Sequence, residues 1–122
     1  MRDIRTHKTL RRQAPALERL IELAELFGYD VVFSRTKEMR DGNIEGLMCP
    51  DLERIYVSPN SSATETLAHE IGHAVLEHLM LSDKSTNEGE QLADAIGWVM
   101  CRWIRVAAKE LHVGAAEIIG ED

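Results

Sequence analysis

Residues 62 to 79 place the firmest limit on how this chain can fold. Leu67, Ile71, Val75 and Leu79 recur every four positions, a spacing that aligns them on one face of an α-helix and requires something to bury that face. Just upstream, Ser62-Ala63-Thr64-Glu65 has the S-x-x-E form of a capping box, which predicts a helix start. Off the apolar stripe lie His69 and His73, also four residues apart and so about 40° apart around the axis. The stripe faces a core, and the histidines line a cleft.

Two imidazoles on adjacent turns can reach a single metal ion. Glu70 sits next to the first of them, beside such an ion rather than on it, placed to take a proton from a water that the ion acidifies. The pattern His69-Glu70-Ile71-Gly72-His73 reads HExxH, short enough to arise by chance on a solvated helix, so its context carries weight. A catalytic zinc takes three protein ligands and keeps one position for water. The third histidine of an HExxHxxGxxH pattern is missing, because Leu76 and Leu79 occupy the diagnostic positions. His78 lies five residues past His73, about 140° around the helix, and reads as a solvated histidine near the helix end.

After a polar break at residues 82 to 87, a second helical stretch opens with Glu88-Gly89-Glu90-Gln91-Leu92-Ala93-Asp94. Glu90 and Asp94 share a face. Glu90 can ligate the metal while Asp94 accepts a hydrogen bond from the far nitrogen of a ligating histidine, which fixes tautomer and ring orientation. Glu88 is the rival ligand, although Leu92 stands where its acidic follower belongs. An acidic first turn is also what the helix dipole favours without any metal.

With HEIGH followed by E-x-x-A-D, the chain resembles the ImmA/IrrE-like zinc metallopeptidases, whose ligand logic is that of gluzincins. The resemblance covers roughly residues 15 to 119. It includes Gly46-Leu47-Met48 leading to Ile55-Tyr56-Val57-Ser58, then Thr66 to His73, then Glu90 to Gly97. The last block departs from the family: Ile96-Gly97 and Val99-Met100-Cys101 stand where Phe-Ala and a closing Leu-Leu-Met-Pro are usual. The resemblance implies a zincin-like fold, His69, His73 and Glu90 as ligands of Zn2+, and Glu70 as general base. It also implies a protein substrate of the helix-turn-helix repressor type, often encoded beside the peptidase on a mobile element. An alternative is a zinc-containing regulatory protein that sequesters its partner without cleaving it.

The remainder of the chain fits an α+β domain. Pro15, the stripe Leu17, Leu20, Ile21, Ala24 and Phe27, and Gly28 predict a helix over 15 to 27. Tyr29 to Phe33, Ile44 to Met48 and Arg54 to Val57 read as strands of a small antiparallel sheet packed on the zinc helix and further helices. Asp41-Gly42-Asn43 is turn chemistry. From about residue 87, Leu92, Ala95, Ile96, Val99, Trp103 and Val106 predict a long helix with a core face. Trp98 reads as a packing residue and Tyr56 as a packed hairpin tyrosine or an oxyanion donor, while residues 108 to 119 resemble the small helix-turn-helix-like element often seen after the zinc helix in ImmA/IrrE-like peptidases.

Net charge is −7, with five Lys/Arg against one acid in residues 1 to 12. Residues 1 to 14 therefore read as a basic arm, either disordered or lying back on the acidic body, and residues 15 to 122 as the metallopeptidase domain. The acidic body argues against nucleic acid as the main partner. No apolar run approaches the roughly 20 residues of a membrane span, and the basic start lacks the apolar stretch of a secretory signal. Cys49 and Cys101 are too few for a disulfide framework, and a cytoplasmic setting follows as the expectation.

Overall fold

The computed structural model describes residues 3–79 and 87–110, with side chains from Ile4 to Leu79 and from Asn87 to Arg102. The predicted element over 108 to 119 and the side chains of Trp103 and Val106 lie outside the described residues. Helix α1, Ala14–Leu26, carries Pro15 in its first turn and buries Leu17, Leu20, Ile21 and Ala24 on one face. It ends as predicted: Gly28 takes φ +88° while its N–H and that of Tyr29 bond back to Glu25 and Ala24. Ahead of α1, two short 3-10 turns, Asp3–Arg5 and Arg11–Gln13, hold the basic segment against the body. Ile4 and Leu10 are buried in the core, and Arg5 forks onto Glu18 through two 2.8 Å bonds.

Three strands follow α1: β1 (Asp30–Val32), β2 (Gly46–Cys49) and β3 (Arg54–Val57). The order is β1-β3-β2, with β1 parallel to β3 and β2 antiparallel to it. The sheet is therefore mixed, not antiparallel as the sequence suggests. Strand β3 takes the centre because its Ile55 and Val57 are completely buried, whereas β1 and β2 are shorter on buried apolar surface. Short-range strand patterns report which segments are extended; they carry no information on which edge a strand joins.

A six-residue helix missing from the sequence reading, α2 (Lys37–Gly42), links β1 to β2. Thr36 caps it by accepting a 3.1 Å bond from the Met39 N–H. Asn43 ends it in the left-handed region at φ 53°, so the predicted turn chemistry at 41–43 is the helix stop.

Helix α3, Ala63–His78, begins where predicted but without the capping box, since Ser62 makes no side-chain cap bond. Gln13 supplies the cap from a distance of 51 residues, its Oε1 accepting from the Thr64 N–H at 2.9 Å and the Thr64 hydroxyl at 2.6 Å. Leu67 and Ile71 are fully buried, Val75 is partly buried, and Leu79 is exposed past the helix end. Leu76 takes the buried place that the simple i+4 stripe assigns to Leu79.

Helix α4, Asn87–Glu110, turns part of its predicted core face outward. Leu92, Val99 and Trp98 are 43%, 57% and 64% exposed, and Ala95 is exposed as well. The buried face is Gly89, Ala93 and Gly97, with Ile96, Met100 and Cys101 half-buried beside it. Bulk decides this: α3 and α4 approach too closely for large side chains between them, so small residues occupy the contact and the larger apolar ones turn outward. Among the described residues, no helix is long and apolar enough to cross a membrane.

Candidate metal centre

The cleft forms where three elements converge, and glycine sets the spacing on two sides. A Cβ at Gly72 of α3 would run into the Ala93 carbonyl oxygen of α4 and lie 2.9 Å from the Ala93 Cα. A Cβ at Gly97 would lie 3.0 Å from the Ala68 carbonyl and from the His69 nitrogen. Bare backbones at 72 and 97 thus let α4 lie directly on the turn of α3 that bears the histidines. On the opposite side, a Cβ at Gly46 would come within 2.7 Å of Thr66 Cγ2 and 3.0 Å of Glu70, so glycine lets β2 press against α3. The sequence reading passed over these three glycines. For Gly72 and Gly97 the signal was present as small residues every four positions, Ala68 and Gly72 on one helix and Gly89, Ala93 and Gly97 on the other.

His69, His73 and Glu90 come together there. Their ligand atoms form one group able to hold a metal ion. The two Nε2 atoms are 3.2 Å apart, His69 Nε2 is 3.1 Å from Glu90 Oε1, and His73 Nε2 is 3.2 Å from Glu90 Oε2. Asp94 Oδ1 lies 2.6 Å from His69 Nδ1. A contact that short to a carboxylate needs a proton on the nitrogen, so Nδ1 donates, and in the neutral ring Nε2 then presents its lone pair. That lone pair then faces another imidazole nitrogen and a carboxylate oxygen. Three acceptors aimed at one point repel one another unless a cation or a proton lies between them, and the donor set therefore fits a metal. Glu88, the rival ligand, is exposed and outside this group.

Glu70 is buried to 8% exposure, one residue from His69. Loss of hydration pushes its pKa up to about 7, and the Glu90 charge adds to the rise. His69 and a hydrogen bond from the Met48 backbone pull the other way. Its carboxyl lines a cleft of about 800 Å³ together with the three metal-directed residues and the strand β2. His73 is buried, His69 half-buried, and Glu90 and Asp94 are exposed at the rim.

Strand β2 is an edge, and its bonding pattern leaves one side open to the cleft. The Ser58 N–H bonds the Glu45 carbonyl at 2.8 Å, so Glu45, Leu47 and Cys49 face β3. By alternation, Gly46 and Met48 turn their N–H and C=O groups outward. The Met48 bond to Glu70 agrees with that parity.

Other candidate residues lie elsewhere. Tyr56 does not line the cleft; its hydroxyl accepts a 3.3 Å bond from Arg54. His78 packs its ring edge on Phe27 at 5.3 Å. Neither Cys49 nor Cys101 forms a disulfide among the described residues. No family model matches the chain, and no curated protein or solved structure matches it.

Proposed function

We propose that the chain is a zinc-dependent endopeptidase that hydrolyses a peptide bond in a protein partner. The observation that carries this reading is the convergence of two imidazole nitrogens and a carboxylate beside a buried second carboxylate, along an edge strand of the sheet. Zinc suits the donor set: two histidine nitrogens and a carboxylate are ordinary ligands for it. The atoms that would hold it, on His69, His73 and Glu90, lie 3.1–3.2 Å from one another. Bound by His69, His73 and Glu90, zinc supplies Lewis acidity toward a water and a carbonyl oxygen.

The chain's own residues do the rest. Gly46 offers its N–H and C=O, and Met48 its C=O, to an extended peptide, which joins the sheet as a further strand while the Met48 N–H stays on Glu70. Glu70 takes a proton from the attacking water at its carboxylate and delivers it to the leaving nitrogen. Its burial beside His69 places that carboxylate at the cleft wall, where a group that takes and returns a proton is needed. Asp94 holds His69 in the tautomer that turns Nε2 toward the metal. The resemblance to ImmA/IrrE-like peptidases supports a helix-turn-helix repressor or similar regulator as substrate, in a cytoplasmic setting.

A second reading draws on the exposed apolar residues of α4, Leu92, Trp98 and Val99, which suit protein docking. In that case the chain is a zinc-containing regulatory protein that sequesters its partner uncut. One experiment separates the two. The wild type and Glu70→Gln are each loaded to about one zinc per chain and incubated with a candidate repressor. Cleavage by the wild type, reduced roughly 100- to 10,000-fold in the variant with zinc retained, supports the peptidase. Undiminished cleavage by Glu70→Gln removes Glu70 as the base, and tight binding without cleavage by the wild type favours sequestration.

A further inference from the structure

The cleft walls carry charge of one sign. Glu45, Glu65, Glu70, Glu90 and Asp94 line it, and among the described residues no Lys or Arg does. Three of these carboxylates already have work in the proposed reaction: Glu90 toward the metal, Asp94 on His69 and Glu70 on the proton. Glu45 and Glu65 are left over. Asn60 holds Glu45 in place through a 2.8 Å bond, and Arg35 approaches its other oxygen at 3.8 Å, which partly offsets its charge. Glu65 is exposed and makes no ion pair among the described residues.

Position along the cleft is legible too. Glu65 lies one helical turn before His69, about 6 Å along α3. Alternate residues of an extended peptide are about 6.7 Å apart, so Glu65 stands beside a side chain two residues from the bond over the metal. Gly46 packs against Thr66 and Glu70, which sets the start of β2 over the start of α3. A peptide pairing antiparallel with β2, the more stable mode, therefore runs its C-terminal half past Glu45 and Glu65.

We propose that this cleft selects a cationic segment, with Lys or Arg about two residues to the C-terminal side of the bond to be cut, read by Glu65 with Glu45 beside it. The inference rests on the peptidase reading and adds a substrate class to it: a basic stretch of a protein partner. An open strand edge supplies affinity without regard to sequence; the carboxylates supply the choice.

The test uses the full zinc-loaded chain carrying Glu70→Gln, with two fluorescent decapeptides of Ala, Leu and Ser that differ only in bearing two Arg or two Glu. Anisotropy is expected to show the Arg peptide binding roughly ten-fold more tightly at moderate salt, as two favourable pairs against two unfavourable ones imply. Adding Glu65→Lys is expected to abolish or reverse that preference with zinc content unchanged. The milder Glu65→Gln is expected to give an intermediate value. Equal binding of the two peptides, or a preference that survives Glu65→Lys, overturns the proposal, the latter by assigning the attraction to the acidic body as a whole. Cleavage of the same peptides by the wild type separates the two ideas. Equal cleavage of both peptides overturns the charge selection and leaves the peptidase standing. An Arg preference in binding with no cleavage leaves the selection standing and overturns the peptidase, and neither binding nor cleavage overturns both.

Discussion

Helix α3 is gripped by α1, β2 and β3 as well as by α4, whereas α4 packs chiefly on α3. The proposed metal ligands are divided between these unequal supports. His69 and His73 ride on a helix whose Leu67, Ile71 and Leu76 are buried, each such side chain contributing roughly 1.5–3 kcal/mol. Glu90 rides on a helix held by backbone-to-backbone contact at Gly72 and Gly97, with its larger apolar residues turned to solvent. The contrast extends to the carboxylates: Glu70 on α3 is buried and pushed up to about 7, while Glu90 on α4 stands exposed at the rim. The lesson is that α3 is built by the core, and α4 is docked to it with the ligand set as a clasp.

The largest expected effect is that of the metal itself. At a free zinc concentration a thousand-fold above Kd, the folded state gains about 4 kcal/mol. Hydrogen exchange is expected to slow far more over residues 87–102 than over α1, because the clasp closes on the helix with one supporting face. Equal slowing in both regions would break the asymmetry.

Next in size is the pH response of the metal-free protein. Glu70 has its folded pKa raised from 4.5 to about 7, so its burden is absent below about pH 4.5 and grows as pH rises through that window. Once Glu70 is ionised the cost is on the order of 3 kcal/mol. Glu70→Gln, which stays neutral, is therefore expected to match the wild type in urea unfolding near pH 4.5 and exceed it by that amount at pH 8. A constant difference across the range would mean that burial does not govern Glu70.

Smallest is the effect of adding one methyl group at the helix crossing. Gly72→Ala forces α4 away from α3 and is expected to cost about 1–3 kcal/mol, the usual penalty of overpacking. Zinc retention against a competing chelator is expected to weaken with it, while the environment of the α1 and sheet core stays as it was. A Gly72→Ala protein that holds zinc as tightly as the parent would show that the crossing distance does not set the ligand geometry.

Much of this was legible before any coordinates. Pro15 and Gly28 bound α1, the four-residue stripe locates α3, and helical spacing alone puts His69 with His73 and Glu90 with Asp94 on shared faces. These are local consequences of 3.6 residues per turn and of glycine's access to positive φ. The capping box shows where local reasoning stops. Ser62 and Glu65 have the correct spacing, yet Gln13, in the turn just before α1, takes the cap at Thr64. Likewise, the apolar stripe of α4 identifies the helix correctly and its buried face only in part, because periodicity shows that one side differs without showing which side meets a neighbour. The sequence by itself determined the elements, the two histidines on one turn-to-turn face and the chemistry they can support. Only the tertiary structure decided the mixed strand order, the burial that raises Glu70 and the meeting of Glu90 with both histidines. Each of these depends on distances between segments far apart in the chain, which the size of Gly46, Gly72 and Gly97 permits but whose partners no local pattern names.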